Sequence, residues 1–207
     1  MKGTTHIAVG IAATAVVVSQ IEPNFSFVGM GVALATAYIS SLLPDLDHPK
    51  AKAHKLAGPL QGVTRWLAKK GLFGSHRTLT HSILGSIPIL IASWFLIFWI
   101  GGRNSMIPFA ENLPYLGVIP YASYLGYVGW GLGIGWLFHL IADSFTVAGV
   151  KYFWPFWNRS FGLKLCASDG VWNNTILPIL MPIVTILFVF QRFLPGGGVM
   201  PFIQSLI

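Results

Sequence analysis

Five stretches of the chain, 4–21, 27–43, 82–100, 121–142 and 175–191, are apolar and contain no Lys, Arg, Asp or Glu. Each reads as a helix that crosses a bilayer, because in lipid the backbone polar groups of an open segment must be satisfied within that segment. As a helix, 82–100 would extend about 28 Å, close to the ~30 Å hydrocarbon core. Segments 4–21, 27–43 and 175–191 are shorter and call for bilayer thinning or for protection by neighbouring helices. Pro178 and Pro182 are expected to kink the last span rather than end it. A cleaved signal peptide is the alternative for 4–21. Its positive flank is only Lys2, and the small residues at 12–15 are followed by further apolar ones, so a retained span is expected.

Between the spans the pattern changes. Segment 59–70 reads as a short helix, with Gly58 before it, Pro59 in its first turn and Gly71 after it. Leu60, Val63 and Leu67 share one face, and Arg65, Lys69 and Lys70 supply positive charge. Such a helix suits a position on anionic headgroups; a lid over a substrate site is the other reading. No internal repeat is present, and the only low-complexity run is the glycines at 196–198.

Composition sharpens this reading. Of 207 residues, 54% are hydrophobic and 9% charged, against roughly 25% charged in an ordinary soluble domain. A soluble enzyme and a disordered chain are both excluded. The single cysteine, Cys166, rules out an internal disulfide framework and a cysteine-rich zinc or iron–sulfur site. The expected fold is an all-α membrane protein with about five transmembrane helices plus a short cytoplasmic interfacial helix. It is expected to form one multi-pass domain over 1–207, with cytoplasmic segments 44–81 and 143–174. Of the 13 Lys and Arg, all but Arg103 and Arg192 fall on the N-terminal side of the membrane in this topology. The N-terminus is therefore expected in the cytoplasm, with Glu22, Glu111 and the C-terminus outside, in the cell inner (plasma) membrane.

This topology gathers the candidate chemistry. His6 lies at the start of the first span, and Asp45, Asp47 and His48 follow Pro44 at the end of the second. His76, Arg77 and His81 lie at the start of the third, and His139 and Asp143 at the end of the fourth. All share one depth on the cytoplasmic side. Each piece alone has an ordinary reading: Asp45 and Asp47 as turn residues, Thr80 or Ser82 as a helix cap, His6 as an interfacial histidine. Together they point to an interior site, since ionisable groups at membrane helices are costly and face inward. Gly131, Gly135, His139 and Asp143 form one stripe, and the glycines allow another helix to approach that face.

With no thiolate available, His6, Asp45, Asp47, His76, His81, His139 and Asp143 make a mixed imidazole and carboxylate set suited to Zn²⁺, with Mn²⁺ or Fe²⁺ as alternatives. Seven ligands exceed the need of one tetrahedral ion, so one or two ions are expected, a bridged pair using them fully. Arg77, Asp47 and His48 are the expected catalytic residues. Arg77 would hold a phosphate, its other reading being a pairing with Asp45, Asp47 or a headgroup.

In this order, His6, the turn 44–48, the His76-Arg77-x-x-Thr80-His81-Ser82 element and the His139-x-x-x-Asp143-x-x-Thr146 element resemble the YdjM-like family of LexA-regulated inner-membrane metal-dependent hydrolases. The matching features run from residue 6 to residue 146. The resemblance implies a multi-pass, membrane-bound hydrolase with a metal centre on the cytoplasmic side.

The loop after the fourth span carries Tyr152, Phe153, Trp154, Phe156, Trp157 and Phe161, with Lys151, Arg159 and Lys164 interleaved and Trp172 beyond. It reads as an interfacial belt that grips membrane lipids, and no nucleic-acid partner is expected. The function read from the residues is hydrolysis of a lipid or membrane-proximal phosphoester by metal-activated water. The alternatives are a divalent-cation transporter and a non-catalytic membrane metalloprotein. A transporter would place its ligands near the midplane, and a filled coordination sphere would mark a structural site.

Overall fold

The uncharged stretches fold as helices, and serine hydroxyls start two of them. In the computed structural model, which describes residues 2–21, 25–48, 51, 53–56, 58, 61–70, 77–100 and 122–191, α1 (Gly3–Ile21) is followed by α2 (Phe27–Ser40). The Ser26 hydroxyl accepts from the Gly29 N–H at 2.8 Å and caps α2. A 3-10 turn, Leu43–Asp47, extends α2, and two short helices follow, α3 (Ala53–Leu56) and α4 (Gln61–Lys69). The Ser82 hydroxyl, accepting from the Gly85 N–H at 3.1 Å, caps α5 (Ile83–Phe95). The long α6 (Ala122–Ser144) and α7 (Leu177–Val189) complete the order. No strand occurs among the described residues.

Among the described residues, four helices are long and apolar enough to cross a membrane: Gly3–Ile21, Phe27–Asp47, Tyr124–Ser144 and Trp172–Val189. The expected span at 82–100 is the shorter apolar helix Ile83–Trp99. Its start agrees with the expectation: Ser82 serves as the cap, and Leu79–His81 wind into a 3-10 turn before it. The helix expected at 59–70 is α4, with Val63 and Trp66 exposed and Pro59 outside the described residues. Glu22, Glu111, Arg103 and Arg192, on which part of the topology reading rests, also lie outside them. α7 has Pro178 in its first turn and continues through Pro182.

α6 is the central helix, packed against α1, α2 and α5. Its glycines set the spacing. A Cβ at Gly131 would overlap the Ala33 carbonyl, and one at Gly135 would overlap the Ser40 hydroxyl. Ser40 Oγ donates to the Gly131 carbonyl at 2.9 Å, and Ser93 Oγ to the Gly129 carbonyl at 2.7 Å. Where lipid and side chain are equally apolar, close packing and such hydrogen bonds, about 0.6 kcal/mol each, hold helices together. In the half away from the histidines and aspartates, Val18, Phe25, Met30, Ala33 and Ile134 form a buried apolar cluster. α7 packs mainly on α1 and buries none of its own residues.

After α6 the chain folds back over the helix end. Thr146 bridges to Cys166, and Val150 to Phe161. The Ile83 N–H donates to the Tyr152 carbonyl at 2.9 Å, tying this loop to the start of α5. Phe153, Trp157 and Phe161 pack ring against ring, while Phe156 is 90% exposed.

Candidate metal centre

The glycine stripe of α6 sets His139 and Asp143 against α1 and α2. A Cβ at Gly10 would overlap the Ser41 hydroxyl, so the Ser41 side chain seats directly on the backbone of α1. This closeness brings the His6 ring onto the His139 ring, stacked at 3.7 Å between centroids. His6, His81, His139 and Asp143 are buried, and Asp45 is 17% exposed.

Hydrogen bonds fix which nitrogen of each imidazole carries the proton. His139 Nδ1 lies 2.6 Å from the Ser41 carbonyl oxygen, which can only accept. Nδ1 therefore holds the proton, and Nε2 presents its lone pair. Around His81 the order is a relay. The Thr80 hydroxyl donates to Asp47 Oδ2 at 2.9 Å, so its oxygen is left to accept from His81 Nδ1 at 3.1 Å. Asp47 Oδ2 itself lies 3.4 Å from the same Nδ1 and also accepts the Arg77 backbone N–H at 2.9 Å. His81 Nε2 is thus a lone pair as well. The two Nε2 atoms face each other at 3.2 Å.

Two carboxylates join them. Asp45 Oδ1 lies 3.8 Å from His81 Nε2 and 3.7 Å from His139 Nε2, and Asp143 Oδ2 lies 3.7 Å from His81 Nε2. Two imidazole nitrogens and two carboxylate oxygens thus meet in a largely buried space, where a cation would balance the carboxylate charge. With metal–nitrogen bonds of 2.0–2.1 Å, two ligand atoms of a tetrahedral site stand ~3.3 Å apart. The observed separations of 3.2 to 3.8 Å fit such a set. Two overlapping groups could hold an ion, His6–Asp45–His139 and His81–His139–Asp143. They share His139, whose Nδ1 is already committed to Ser41. His6 extends the set: its Nε2 lies 3.3 Å from Asp143 Oδ1, and neither ring nitrogen makes a hydrogen bond of good geometry.

Arg77 closes one side. Its backbone is left-handed, φ 62°, which costs a residue with a Cβ ~1–2 kcal/mol. The Asp47 contact to its N–H holds it there, and Nη1 donates to the Gly149 carbonyl at 3.0 Å. Nη2 pairs with Asp143 Oδ2 at 3.0 Å, so the guanidinium meets Asp143 rather than Asp45 or Asp47. The loop after α6 is thereby pinned to the centre.

Of the expected ligands, the structure brings together His6, Asp45, His81, His139 and Asp143. Asp47 stands behind His81, where it orients the ring as carboxylates do behind metal-bound histidines. His48 is partly exposed, with its carbonyl 3.0 Å from His54 Nε2, and is in neither ligand group. His76 lies outside the described residues. Sequence reasoning did not find the Ser41 and Gly149 carbonyls, which have no side-chain signature. Thr80 was legible only as a cap; Ser82 fills that role, and Thr80 joins Asp47 to His81.

The chain is 32% identical over 120 residues to the inner membrane protein YdjM of Escherichia coli (strain K12), and equally to that of Shigella flexneri. Each alignment covers 58% of this chain and 47% of the relative, so the chain spans about half the length of these two. It is 29% identical over 155 residues to YvsG of Bacillus subtilis (strain 168), covering 75% of this chain and 74% of that one. No solved structure matches. Over residues 1–199 the sequence matches the model of the YdjM inner membrane protein family. With a match of that extent, the chain belongs to the YdjM inner membrane protein family.

Proposed function

We propose that this protein is a membrane-bound, metal-dependent hydrolase that cleaves a lipid or membrane-proximal phosphoester at the cytoplasmic interface. The observation that carries the reading is the approach of His81 Nε2 and His139 Nε2 to 3.2 Å, flanked by Asp45 and Asp143. His81, His139, Asp45 and Asp143 would hold one ion, Zn²⁺ being the best match to two imidazoles and two carboxylates, with Mn²⁺ or Fe²⁺ as alternatives. Such an ion supplies Lewis acidity, polarising a phosphoryl oxygen and making water a better nucleophile near neutral pH.

The chain's own residues divide the remaining work. Asp47 and Thr80 keep His81 in the tautomer that offers Nε2 to the centre, and the Ser41 carbonyl does so for His139. Asp45, the most exposed of the four ligands, marks the side from which substrate enters. Arg77 is 14% exposed and keeps guanidinium donors beyond its Asp143 and Gly149 contacts, which suits it to a phosphate oxygen. The excess of Lys and Arg on this side supports a cytoplasmic site. A transporter is disfavoured because the described ligands sit at helix ends rather than near a midplane.

The test is a hydrolysis screen over phospholipids and soluble phosphoesters with the metal-loaded protein. Arg77→Ala is expected to keep the metal and lose more than tenfold in turnover, or over ~1.4 kcal/mol of transition-state stabilisation. Unchanged turnover would remove Arg77 from the reaction. Turnover that survives complete metal removal would end the metallohydrolase reading.

A further inference from the structure

Beside the centre, on a different face of α6, lies a cavity of about 550 Å³, within the ~300–1,000 Å³ usual for small-molecule sites. Val9 of α1, Phe138, Ala142 and Phe145 at the end of α6, and Leu177 and Met181 of α7 line it. The loop residues Leu165 and Cys166, and Trp172 at the start of the last helix, complete it. From the geometry we infer that this cavity is the subsite for one acyl chain of a phospholipid whose headgroup reaches the metal centre. The inference rests on the hydrolase reading for its headgroup half; occupancy by the chain does not.

Three observations commit the cavity to a lipid chain. First, its named walls are apolar apart from the Cys166 thiol and the Trp172 indole, and they belong to three helices of membrane-spanning length. Second, it lies at the same end of α1 and α6 as the centre: Ala142 adjoins Asp143 in sequence, and Val9 lies one turn beyond His6. Third, Lys164 adjoins the lining residue Leu165 in sequence. That places positive charge beside the cavity, complementary to a lipid phosphate.

The test uses the full chain in nanodiscs of phosphatidylglycerol and phosphatidylethanolamine that carry a phosphatidylglycerol with a diazirine on its acyl chain. After irradiation, adducts are expected to concentrate in segments 138–145 and 165–181, at least fivefold over the exposed outer face of α5. Ala142→Phe, which fills the cavity, should reduce that excess by at least fivefold while leaving α5 adducts unchanged. If Ala142→Phe does not fold, Leu165→Asp in the loop supplies the same comparison, and alkylation of the native Cys166 by a maleimide should slow at least threefold when the chain is present. Even labelling of all outer faces, or an excess indifferent to both variants, would overturn the subsite. His139→Ala separates the two ideas. Adducts retained in that variant while wild-type hydrolysis is absent would leave the chain subsite standing and the hydrolase reading refuted.

Discussion

The two ends of the bundle treat polar groups in opposite ways: partly exposed and paired at one, buried and gathered around the histidines at the other. At the end away from the centre, donors meet acceptors. Gln20 Nε2 donates to Gln191 Oε1 at 3.1 Å, Gln191 Nε2 to the Ser19 carbonyl at 3.0 Å, and the Ser26 N–H to the Tyr127 hydroxyl at 3.4 Å. These bonds surround an apolar cluster and ask for nothing further. At the other end, His81 and His139 turn acceptor toward acceptor, and their donors are spent on Asp47, Thr80 and Ser41. A helix bundle needs only the first kind of arrangement to hold together. The second gathers buried imidazoles and carboxylates that packing alone does not require, so it marks where function displaces economy of packing.

The contrast can be broken at one end and left intact at the other. The largest effect is expected from His139→Ala, which removes a lone pair common to both possible ligand groups. Metal content should fall below a tenth of the wild-type value. The stabilisation given by the ion, ~4 kcal/mol at a thousandfold excess over its Kd, should vanish from thermal melts recorded with and without metal. A variant that keeps its metal would erase the difference between the ends. Asp47→Asn should act more gently, because Asp47 orients His81 from behind. Metal affinity is expected to weaken 10- to 100-fold, as for other groups supporting metal-bound histidines, and titration with a chelator-buffered ion measures it. The smallest effect is expected at the far end. Gln191→Leu should change stability by less than ~1 kcal/mol and leave metal content unchanged, which a melt and metal analysis of the same sample would check.

Much of this was legible in the sequence because burial in lipid leaves coarse marks. Uncharged windows located α1, α2, α6 and α7, and the Gly131-Gly135-His139-Asp143 stripe announced the packed face of α6. The convergence of His6, Asp45, His81, His139 and Asp143 followed from placing each at one end of a span. What escaped depends on backbone groups and on short-range geometry. The Ser41 carbonyl that sets the His139 tautomer has no residue-type signal, since any residue supplies a carbonyl. Asp45 and Asp47 are two apart and alike in composition, yet the 3-10 turn sends one carboxylate to the Nε2 pair and the other behind His81. The third stretch, expected at 82–100, is helical over Ile83–Trp99 with Ser82 as its cap, one of the two caps the sequence offered.

The central claim is that a cation joins His81 and His139. X-ray absorption spectroscopy on the purified, zinc-loaded chain tests it most directly. The account predicts one ion per chain with two imidazole nitrogens and carboxylate oxygens in its coordination shell, and loss of that signal in the His81→Ala, His139→Ala double variant. Less than a tenth of an equivalent bound by the wild type, or a coordination shell unchanged in the double variant, would contradict it.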